Sequence, residues 1–342
     1  MQRLLIIDGS SLLSSFYYGN LPPEIKFNKD PEKEASLYSM ILQADGIYTN
    51  GSYSFMVKLE KMIEEQKPTH LAVVFDRTRN TFRRKIYPDY KGTRKETPVP
   101  LRMQKEYLPP MLSQMGIKTF WSDQVEGDDI AGSLAVRFCK EINTVILTGD
   151  KDLLQLVRSG IQIWYMTHSE KKAQEMFYDY TQGNNATSLS AYNLPEAVFP
   201  YGTDSVKWDK GVAPSAIPDL KGLSGDTSDN IPGVKGVSES KAAILLQNYG
   251  CFEALYQWLG KHEEKEIKKI WKEELHMDRA PVKAMLADEA KENALLSKRL
   301  ATILTNLEFP ISLDDLRINI NQNARQQAYK KLKFNSLLKK SA

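Results

Sequence analysis

The stretch QVEGDDIAGSLAVRFCKEINTVILTGDKDLLQL, residues 124–156, carries its acidic residues in two tight groups. An apolar run with helical spacing separates the groups, and it is followed by residues 144–147, which predict a buried strand. The second group comes directly after this strand, and open α/β sheets build their sites at the carboxyl ends of strands. The acids of the two groups are Glu126, Asp128, Asp129, Asp150 and Asp152.

Carboxylates gathered at one sheet edge repel one another, so a countercharge has to hold them together. Clusters of hard oxygen ligands suit Mg²⁺ or Mn²⁺. A structural interpretation of the first group is also open, because acids in a first helical turn cap free N–H groups and stabilise the helix dipole. One acid would be explained in that way, but Glu126, Asp128 and Asp129 together exceed what capping requires.

Short apolar runs at residues 4–7 and 71–75 predict two more buried strands, and each is followed by an acid, Asp8 or Asp76. Taken alone, either acid is equally compatible with a turn or a helix cap. Further short strands are predicted at residues 118–121 and 161–165. Since the carboxyl ends of parallel strands form one rim, acids far apart in sequence can converge there.

A basic segment, residues 77–105, holds ten Lys or Arg against two acids, with Phe82, Tyr87 and Tyr90 between them. Charge runs are usually solvated loops. Aromatic residues among the cations favour a phosphate-binding arm instead, because stacking on bases together with charge on phosphates is how single strands are held.

A glycine-containing turn follows the last acid pair. Asp226 and Asp229 are spaced i, i+3, so a single helical turn would point both side chains the same way. The turn precedes a helix predicted at residues 238–249, and backbone N–H groups at such a turn suit a phosphate. The alternative is a simple turn. The residues of this turn that would face such a phosphate are Gly233, Val234, Lys235 and Gly236.

The whole chain has 342 residues, a net charge of +3 and two cysteines, as expected of a globular protein from a reducing compartment such as the cytosol. No segment predicts a membrane span. We expect a mostly parallel α/β sheet flanked by helices, with a helical C-terminal part. The α/β core is assigned to residues 1–215, with the basic arm at about 77–110, and the helical part to residues 216–342. A helix predicted at residues 101–115 should kink or restart at Pro109 and Pro110.

The motifs LLIIDGSSLL, VVFD, FRRKIYPDYKGTR, EGDDIAGSLA, ILTGDKDLLQL and SGDTSDNIPGVKGV, in this order, resemble those of the 5′-nuclease (flap endonuclease) superfamily. The similarity is greatest to the N-terminal 5′-3′ exonuclease domain of bacterial DNA polymerase I. It extends over most of the chain, except roughly residues 20–45 and 170–205. The resemblance implies a PIN-like core and a helix-two-turn-helix element. It also implies a 5′-3′ exonuclease or 5′ flap endonuclease that hydrolyses DNA by a two-metal mechanism in replication or repair.

The resemblance also implies roles for individual residues. Lys91 and Arg94 would hold the scissile phosphate, Tyr90 would stack on the neighbouring base, and Arg83 would contact a further phosphate. With Asp8 and Asp76, Lys91 and Arg94 form the catalytic set. One divalent cation would be held by Asp8, Asp76, Glu126, Asp128 and Asp129, and the other by Asp150, Asp152, Asp226 and Asp229.

A K⁺ ion on backbone carbonyls would accompany the glycine turn, although residues 236–242 depart from the family's usual Gly-[Ile/Val]-Gly-x-Lys-Thr-Ala pattern. The expected partners are DNA with 5′ flaps, nicks or 5′ ends and a polymerase in cis or in trans, with the chain itself a monomer. Two alternatives stay open: a related ribonuclease with an RNA substrate, and a binding module that recognises junctions without cutting them. The complete acid set argues against the binding module, because binding alone would favour the loss of self-repelling carboxylates.

Overall fold

The computed structural model describes residues 2–28, 30–182, 189–277 and 281–340. Its strands, within these residues, are β1 (Arg3–Asp8), β2 (Gln43–Ala44), β3 (Ile47–Tyr48), β4 (His70–Asp76), β5 (Lys118–Ser122), β6 (Asn143–Thr148), β7 (Ile161–Met166) and β8 (Val198–Tyr201). Six of these described strands form one sheet in the order β5-β4-β1-β6-β7-β8. All its pairings are parallel except that of β7 with β8. The mostly parallel α/β fold is therefore confirmed.

The neighbouring strands β4, β1 and β6 are apolar except near their ends because both faces of the sheet are covered. Along β1, Leu4 and Ile6 enter one hydrophobic core, whereas Leu5 and Ile7 enter the other. This alternation follows from the two-residue period of a strand. Burial on both sides explains why the strands read as short continuous apolar runs rather than as alternating patterns.

The helices cover both faces of the sheet and form the C-terminal part. In chain order they are α1 (Gly9–Gly19), α2 (Pro23–Lys26), α3 (Pro31–Ser36), α4 (Asn50–Gln66), α5 (Phe82–Ile86), α6 (Val99–Gln114), α7 (Gly127–Phe138), α8 (Glu170–Tyr180), α9 (Thr203–Lys210), α10 (Ile217–Ser224), α11 (Glu239–Tyr249), α12 (Phe252–Leu259), α13 (Glu264–Glu273), α14 (Val282–Met285), α15 (Ala290–Ala301), α16 (Gln322–Lys331) and α17 (Asn335–Lys340). Short 3₁₀ helices span Tyr38–Met40, Lys151–Leu156, Leu189–Tyr192, Pro214–Ala216 and Asp314–Leu316.

Helix α6 continues through Pro109 and Pro110, so the predicted restart at these prolines was wrong. Each proline removes one backbone donor from the helix. Packing offsets this loss, because Leu101, Leu108 and Leu112 are all buried in the core that α6 shares with α1 and α4. Tertiary burial thus outweighs local propensity here.

The segment after α15 was predicted to continue as packed helices, but residues 302–311 form neither helix nor strand and lie along α7. The hydroxyl of Ser133 donates to Leu304 O and accepts from Leu307 N. Gly132 gives the segment room, since a Cβ there would lie 2.9 Å from Ile303 Cγ2. The chain then returns to the sheet, where Ile318 N donates to Thr69 O at 3.2 Å.

The region at 170–205, which the sequence left without an assignment, contributes α8 and the edge strand β8. Pro200 lies in β8, and proline is tolerated in sheets mainly at edge strands. Both cysteines, Cys139 and Cys251, are free and half-buried. Among the described residues, no helix combines the length and the apolar character that crossing a membrane requires.

Candidate active site

The adjacent strands β4, β1 and β6 bring three of the predicted acids to one edge of the sheet. Asp8 is the last residue of β1, and Asp76 is the last residue of β4. Asp150 follows the end of β6 by two residues. Since β1 lies between β4 and β6, Asp8 lies between the other two acids. The convergence expected at the carboxyl ends of parallel strands is therefore present.

Hydrogen bonds from backbone N–H and hydroxyl groups hold the side chains of Asp8 and Asp76 in place. One Asp8 oxygen accepts from Ser11 N at 2.9 Å and so caps α1, and the other accepts from Thr148 Oγ1 at 2.8 Å. The Oδ1 atom of Asp76 accepts from Gly127 N at 2.7 Å. Gly127 permits this approach, since a Cβ there would lie 3.3 Å from the same oxygen. The capping interpretation of Asp8 is thus correct, and it coexists with a place in the site.

The carboxylates are close enough to perturb one another. Burial, followed by the charge of Asp76, raises the pKa of Asp8 to about 7. Burial and the neighbouring Asp152 raise the pKa of Asp150 to about 6. Burial also raises the pKa of Asp128 well above its ordinary value, with repulsion from Asp150, Asp8 and Asp76 adding to the effect. A divalent cation would relieve this repulsion, so the donor set fits Mg²⁺ or Mn²⁺.

Lysine and arginine side chains neutralise the remaining acids. Lys221 donates to Asp226 Oδ2 at 2.6 Å and also to Asp152 Oδ1. Lys91 lies 2.8 Å from Glu126 Oε2 and 3.7 Å from Asp229 Oδ2. Among the described residues, no three acidic, histidine or cysteine side chains form a group that could hold an ion as it stands. Binding of a metal would therefore require these oxygens to turn away from the chain's own cations.

Asp226 and Asp229 do not share a helical turn, contrary to the geometry that the spacing suggested. They lie in a tight turn closed by reciprocal backbone hydrogen bonds between Asp226 and Ile231. Asn230 has φ 55°, in the left-handed region. The two ends of the turn pack closely together, since a Cβ on Gly233 would lie 2.2 Å from Gly225 N. Asp226 faces Lys221, whereas Asp229 faces the basic segment.

The basic segment lies directly on the acidic residues. Lys91 N donates to Asp229 O at 2.8 Å, and Arg94 forms an ion pair with the Asp229 carboxylate. The Tyr90 hydroxyl donates to Glu126 Oε2 and to Asp229 Oδ2, both at 3.2 Å. Only 4% of Tyr90 is exposed. In this arrangement its ring is inside the protein, where no base could stack on it.

Arg83 and Asp129 form a buried ion pair in the wall of the site. The two guanidinium nitrogens donate to the two Asp129 oxygens at 2.7 Å each. These oxygens also accept from Glu126 N at 3.1 Å and from Leu304 N at 2.9 Å. Arg83 is 2% exposed and Asp129 is 0% exposed. Both groups are thus fully hydrogen-bonded to protein partners in this structure.

The glycine turn after the acids lies between α10 and α11, with Gly233 (φ 61°) and Gly236 (φ 81°) in the left-handed region. Gly233 N donates to Ser297 Oγ at 2.9 Å, and Val234 is buried. Lys235 and Gly236 are exposed and can face a ligand. Ser238 then caps α11 by accepting from Lys241 N.

Sequence reasoning overlooked Lys221, which contacts two of the predicted metal ligands. One sequence feature could have indicated it: Lys221 lies five residues before Asp226, in the last turn of a short helix. Its contact with Asp152 depends on chain packing and could not be read from spacing. Thr148, which orients Asp8, was overlooked for the same reason.

Comparisons with known proteins agree with this architecture of a carboxylate-rimmed α/β core and a helical C-terminal part. The profile of the 5′-3′ exonuclease N-terminal resolvase-like domain matches residues 3–182, and that of the 5′-3′ exonuclease C-terminal SAM fold matches residues 212–324. The chain therefore belongs to the 5′-3′ exonuclease family, and the resemblance inferred from its motifs is confirmed.

Curated relatives include DNA polymerase I of Bacillus subtilis, 30% identical over 99% of this chain, and DNA polymerase I of Caldicellulosiruptor bescii, 31% identical over 99%. The chain spans about a third of the length of these relatives, 32% and 33% respectively.

Solved structures share the fold at low sequence identity. The T5 5′-exonuclease with bound zinc ions has a TM-score of 0.56 and 17% identity, with 88% of this chain and 89% of that chain covered. The catalytic core of Rad2 in complex with a DNA substrate has a TM-score of 0.54 and 14% identity, with 97% and 88% covered.

Replacing Arg83 with methionine should destabilise the protein, because the Asp129 charge would be left buried without its partner. We expect the free energy of unfolding to fall by about 3–5 kcal/mol. Urea denaturation followed by circular dichroism measures this. The matched control is Arg84→Met, because Arg84 is half-buried but donates only to Pro88 O at 3.3 Å and forms no ion pair with the described residues, so its loss should cost less than about 1 kcal/mol. A stable Arg83→Met protein with weakened DNA binding would instead make Arg83 a phosphate contact.

The raised pKa values predict a pH-dependent response to metal. The folded protein favours protonated Asp8 and Asp150, whose pKa values of about 7 and about 6 exceed the ordinary 3.8. Their contribution to stability is therefore complete below pH 4 and is lost as the pH rises through these values. Without divalent cations, Tm should fall between pH 5 and pH 8, and Mg²⁺ should restore roughly 5 °C at pH 8 but little at pH 5.

Differential scanning calorimetry at constant ionic strength checks this expectation, with Asp8→Asn as the control that removes one of the titrating groups. An equal rise of Tm with Mg²⁺ at both pH values would contradict it.

Proposed function

We propose that this chain hydrolyses phosphodiester bonds of DNA at 5′ ends, nicks and 5′ flaps, with two divalent cations, Mg²⁺ or Mn²⁺, as cofactors. The observation that carries the proposal is the convergence of Asp8, Asp76 and Asp150 at adjoining strand ends. Such a pair of cations, about 4 Å apart, supplies a hydroxide nucleophile and stabilises the leaving oxygen. The family membership and the DNA-bound Rad2 neighbour support the choice of substrate.

The first cation would be held by carboxylates on the rim of the sheet. Asp8, Asp76 and Asp128 are the best placed, since their charges interact and the described residues form no ion pair with any of them. Glu126 would join them once Lys91 turns away. Asp129 was assigned to this set by resemblance, but its four hydrogen bonds support a structural role instead.

The second cation would be held by Asp150 and Asp152, with Asp226 and Asp229 opposite. Asp150 Oδ1 already accepts from Asp152 N at 2.8 Å and so caps the 3₁₀ helix Lys151–Leu156. Asp226 and Asp229 are held on the opposite side by the tight turn that they share.

The basic segment would exchange its partners when DNA binds. Lys91 and Arg94 are the catalytic cations of this proposal, because each points at an acid of the site. A phosphate near the metal ligands would accept from both, and metal ions would replace them at Glu126 and Asp229. Tyr90 would become available for base stacking once the segment lifts from those acids. Arg83, locked to Asp129, would anchor the segment rather than bind phosphate.

The glycine turn would grip the duplex backbone through Lys235 and the exposed backbone of Gly236, while Gly233 and the buried Val234 fix the shape of the turn. We extend the proposal to a K⁺ ion on the carbonyl oxygens of this turn. Such an ion would compete with Lys241, whose ammonium group lies 3.2 Å from Gly236 O. We further propose that the chain acts as a monomer and cooperates with a polymerase, as its similarity to DNA polymerase I suggests.

Two alternatives are weaker. A ribonuclease would share the acidic rim but would not need a turn built to grip duplex DNA. A binding module without activity would gain nothing from buried, mutually repelling acids, and burial together with this repulsion raises the pKa of Asp8 and of Asp150.

Flap cleavage is the direct test. A 5′-labelled DNA flap incubated with the protein and Mg²⁺ should release short products, and EDTA should stop the reaction. Asp150→Ala should reduce the cleavage rate at least about 1,000-fold while leaving flap binding largely intact, because it removes a metal ligand and no DNA contact.

The matched control is Asp314→Asn. Asp314 is an exposed acid beside Arg317, which pairs with the amino end of β4, and its loss should leave cleavage unchanged. An intact flap after long incubation with Mg²⁺ or Mn²⁺ would remove the proposed activity. Faster cutting of an RNA flap would favour the ribonuclease.

A further inference from the structure

The side chain of Lys221 lies between two acids that the proposed function assigns to the second cation. Its ammonium group contacts Asp152 Oδ1 and lies 2.6 Å from Asp226 Oδ2. The three side chains are largely shielded, with 14% of Lys221, 22% of Asp152 and 16% of Asp226 exposed. Ion pairs shielded in this way are costly to break, because the separated charges must each find a new partner.

We propose that Lys221 is a built-in countercation of the second metal site, which the second divalent cation has to displace. The two cations then bind in sequence, the first tightly and the second more weakly. This inference rests on the proposed function and adds to it one cause for unequal metal affinities, the side chain that contacts both Asp152 and Asp226.

The first site has no such competitor at three of its acids. Within the described parts of the chain, no ion pair is formed by Asp8, Asp76 or Asp128. Asp8 accepts only from a backbone N–H and a threonine hydroxyl. These carboxylates repel one another without compensation from a contacting ammonium group, so a cation entering there gains attraction and displaces nothing from them.

The structure also provides space for the displaced ammonium group. A cavity of about 360 Å³ adjoins Lys221 and is lined in part by Ser224, Thr227 and Glu239. Glu239 is half-exposed and pairs with Lys210 at 2.8 Å. The flexible stem of Lys221 can therefore turn from Asp152 toward these polar groups while α10 stays in place.

Titration with Mn²⁺ tests the proposal without any cleavage. Free Mn²⁺ is counted by electron paramagnetic resonance in the presence of the whole chain and no DNA. The wild type should show two classes of site that differ in Kd by at least about tenfold. In Lys221→Met, which keeps the length and removes the charge, the weaker class should tighten by about tenfold and the tighter class should not change.

The matched control is Lys151→Met. Lys151 is the neighbour of Asp150 and Asp152 in sequence, but its ammonium group pairs with Asp209 at 2.8 Å. This variant makes the same change of net charge close to the site without removing a contact to Asp152 or Asp226. It should tighten the weaker class clearly less than Lys221→Met does. Equal tightening by the two variants, or none by Lys221→Met, would overturn the proposal.

A second measurement uses the wild type alone and so does not depend on the folding of a variant. Acetylation by an amine-reactive reagent, read by mass spectrometry, should modify Lys221 several times faster at saturating Mn²⁺ than without metal, whereas Lys151 should not respond. An unchanged rate at Lys221 would contradict displacement. If the chain binds no Mn²⁺ at all, the proposed function itself fails. If the chain binds two Mn²⁺ ions but the Lys221→Met substitution leaves both affinities unchanged, only the inference about Lys221 fails.

Discussion

Electrostatic repulsion among carboxylates at one sheet edge is the constraint on which the rest of the structure depends. A parallel sheet with β1 between β4 and β6 brings Asp8, Asp76 and Asp150 together. The fold stabilises this costly arrangement by burying apolar strands on both sides. Burial is the main reason that the pKa values of Asp8 and Asp150 rise to about 7 and about 6, and repulsion from neighbouring carboxylates adds to it. A protein built in this way has a strong electrostatic reason to bind divalent cations.

The chain's own cations relieve the repulsion where they can reach. Lys91 and Arg94 neutralise the acids under the basic segment, and Lys221 neutralises the pair next to α10. Arg83 differs from these three because it is buried in an ion pair with Asp129. This pair connects α5 to the start of α7 and, through Leu300 O and Leu304 N, to the end of α15 and the segment after it. Lys91, Arg94 and Lys221 contact acids of the proposed metal sites, so a metal ion or a phosphate would have to displace contacts that already exist.

The sequence predicted the central strands well because each is a short apolar run that ends in or near an acid, a pattern determined by local burial and the strand period. It failed where the outcome depends on distant packing. Pro109 and Pro110 remain inside α6 because the core holds both flanking turns. The role of Asp129 could not be seen because its partner Leu304 lies 175 residues away. Lys221 was overlooked for the same reason, since its contact with Asp152 crosses 69 residues.

The central claim is that the acids at these strand ends form one site for paired divalent cations. Anomalous diffraction from crystals grown with Mn²⁺ tests it most directly. The account predicts two peaks about 4 Å apart, one beside Asp8 and Asp76 and the other beside Asp150 and Asp152. The account would be contradicted if saturating Mn²⁺ gave no anomalous peak at this edge of the sheet, or gave peaks only at isolated surface acids.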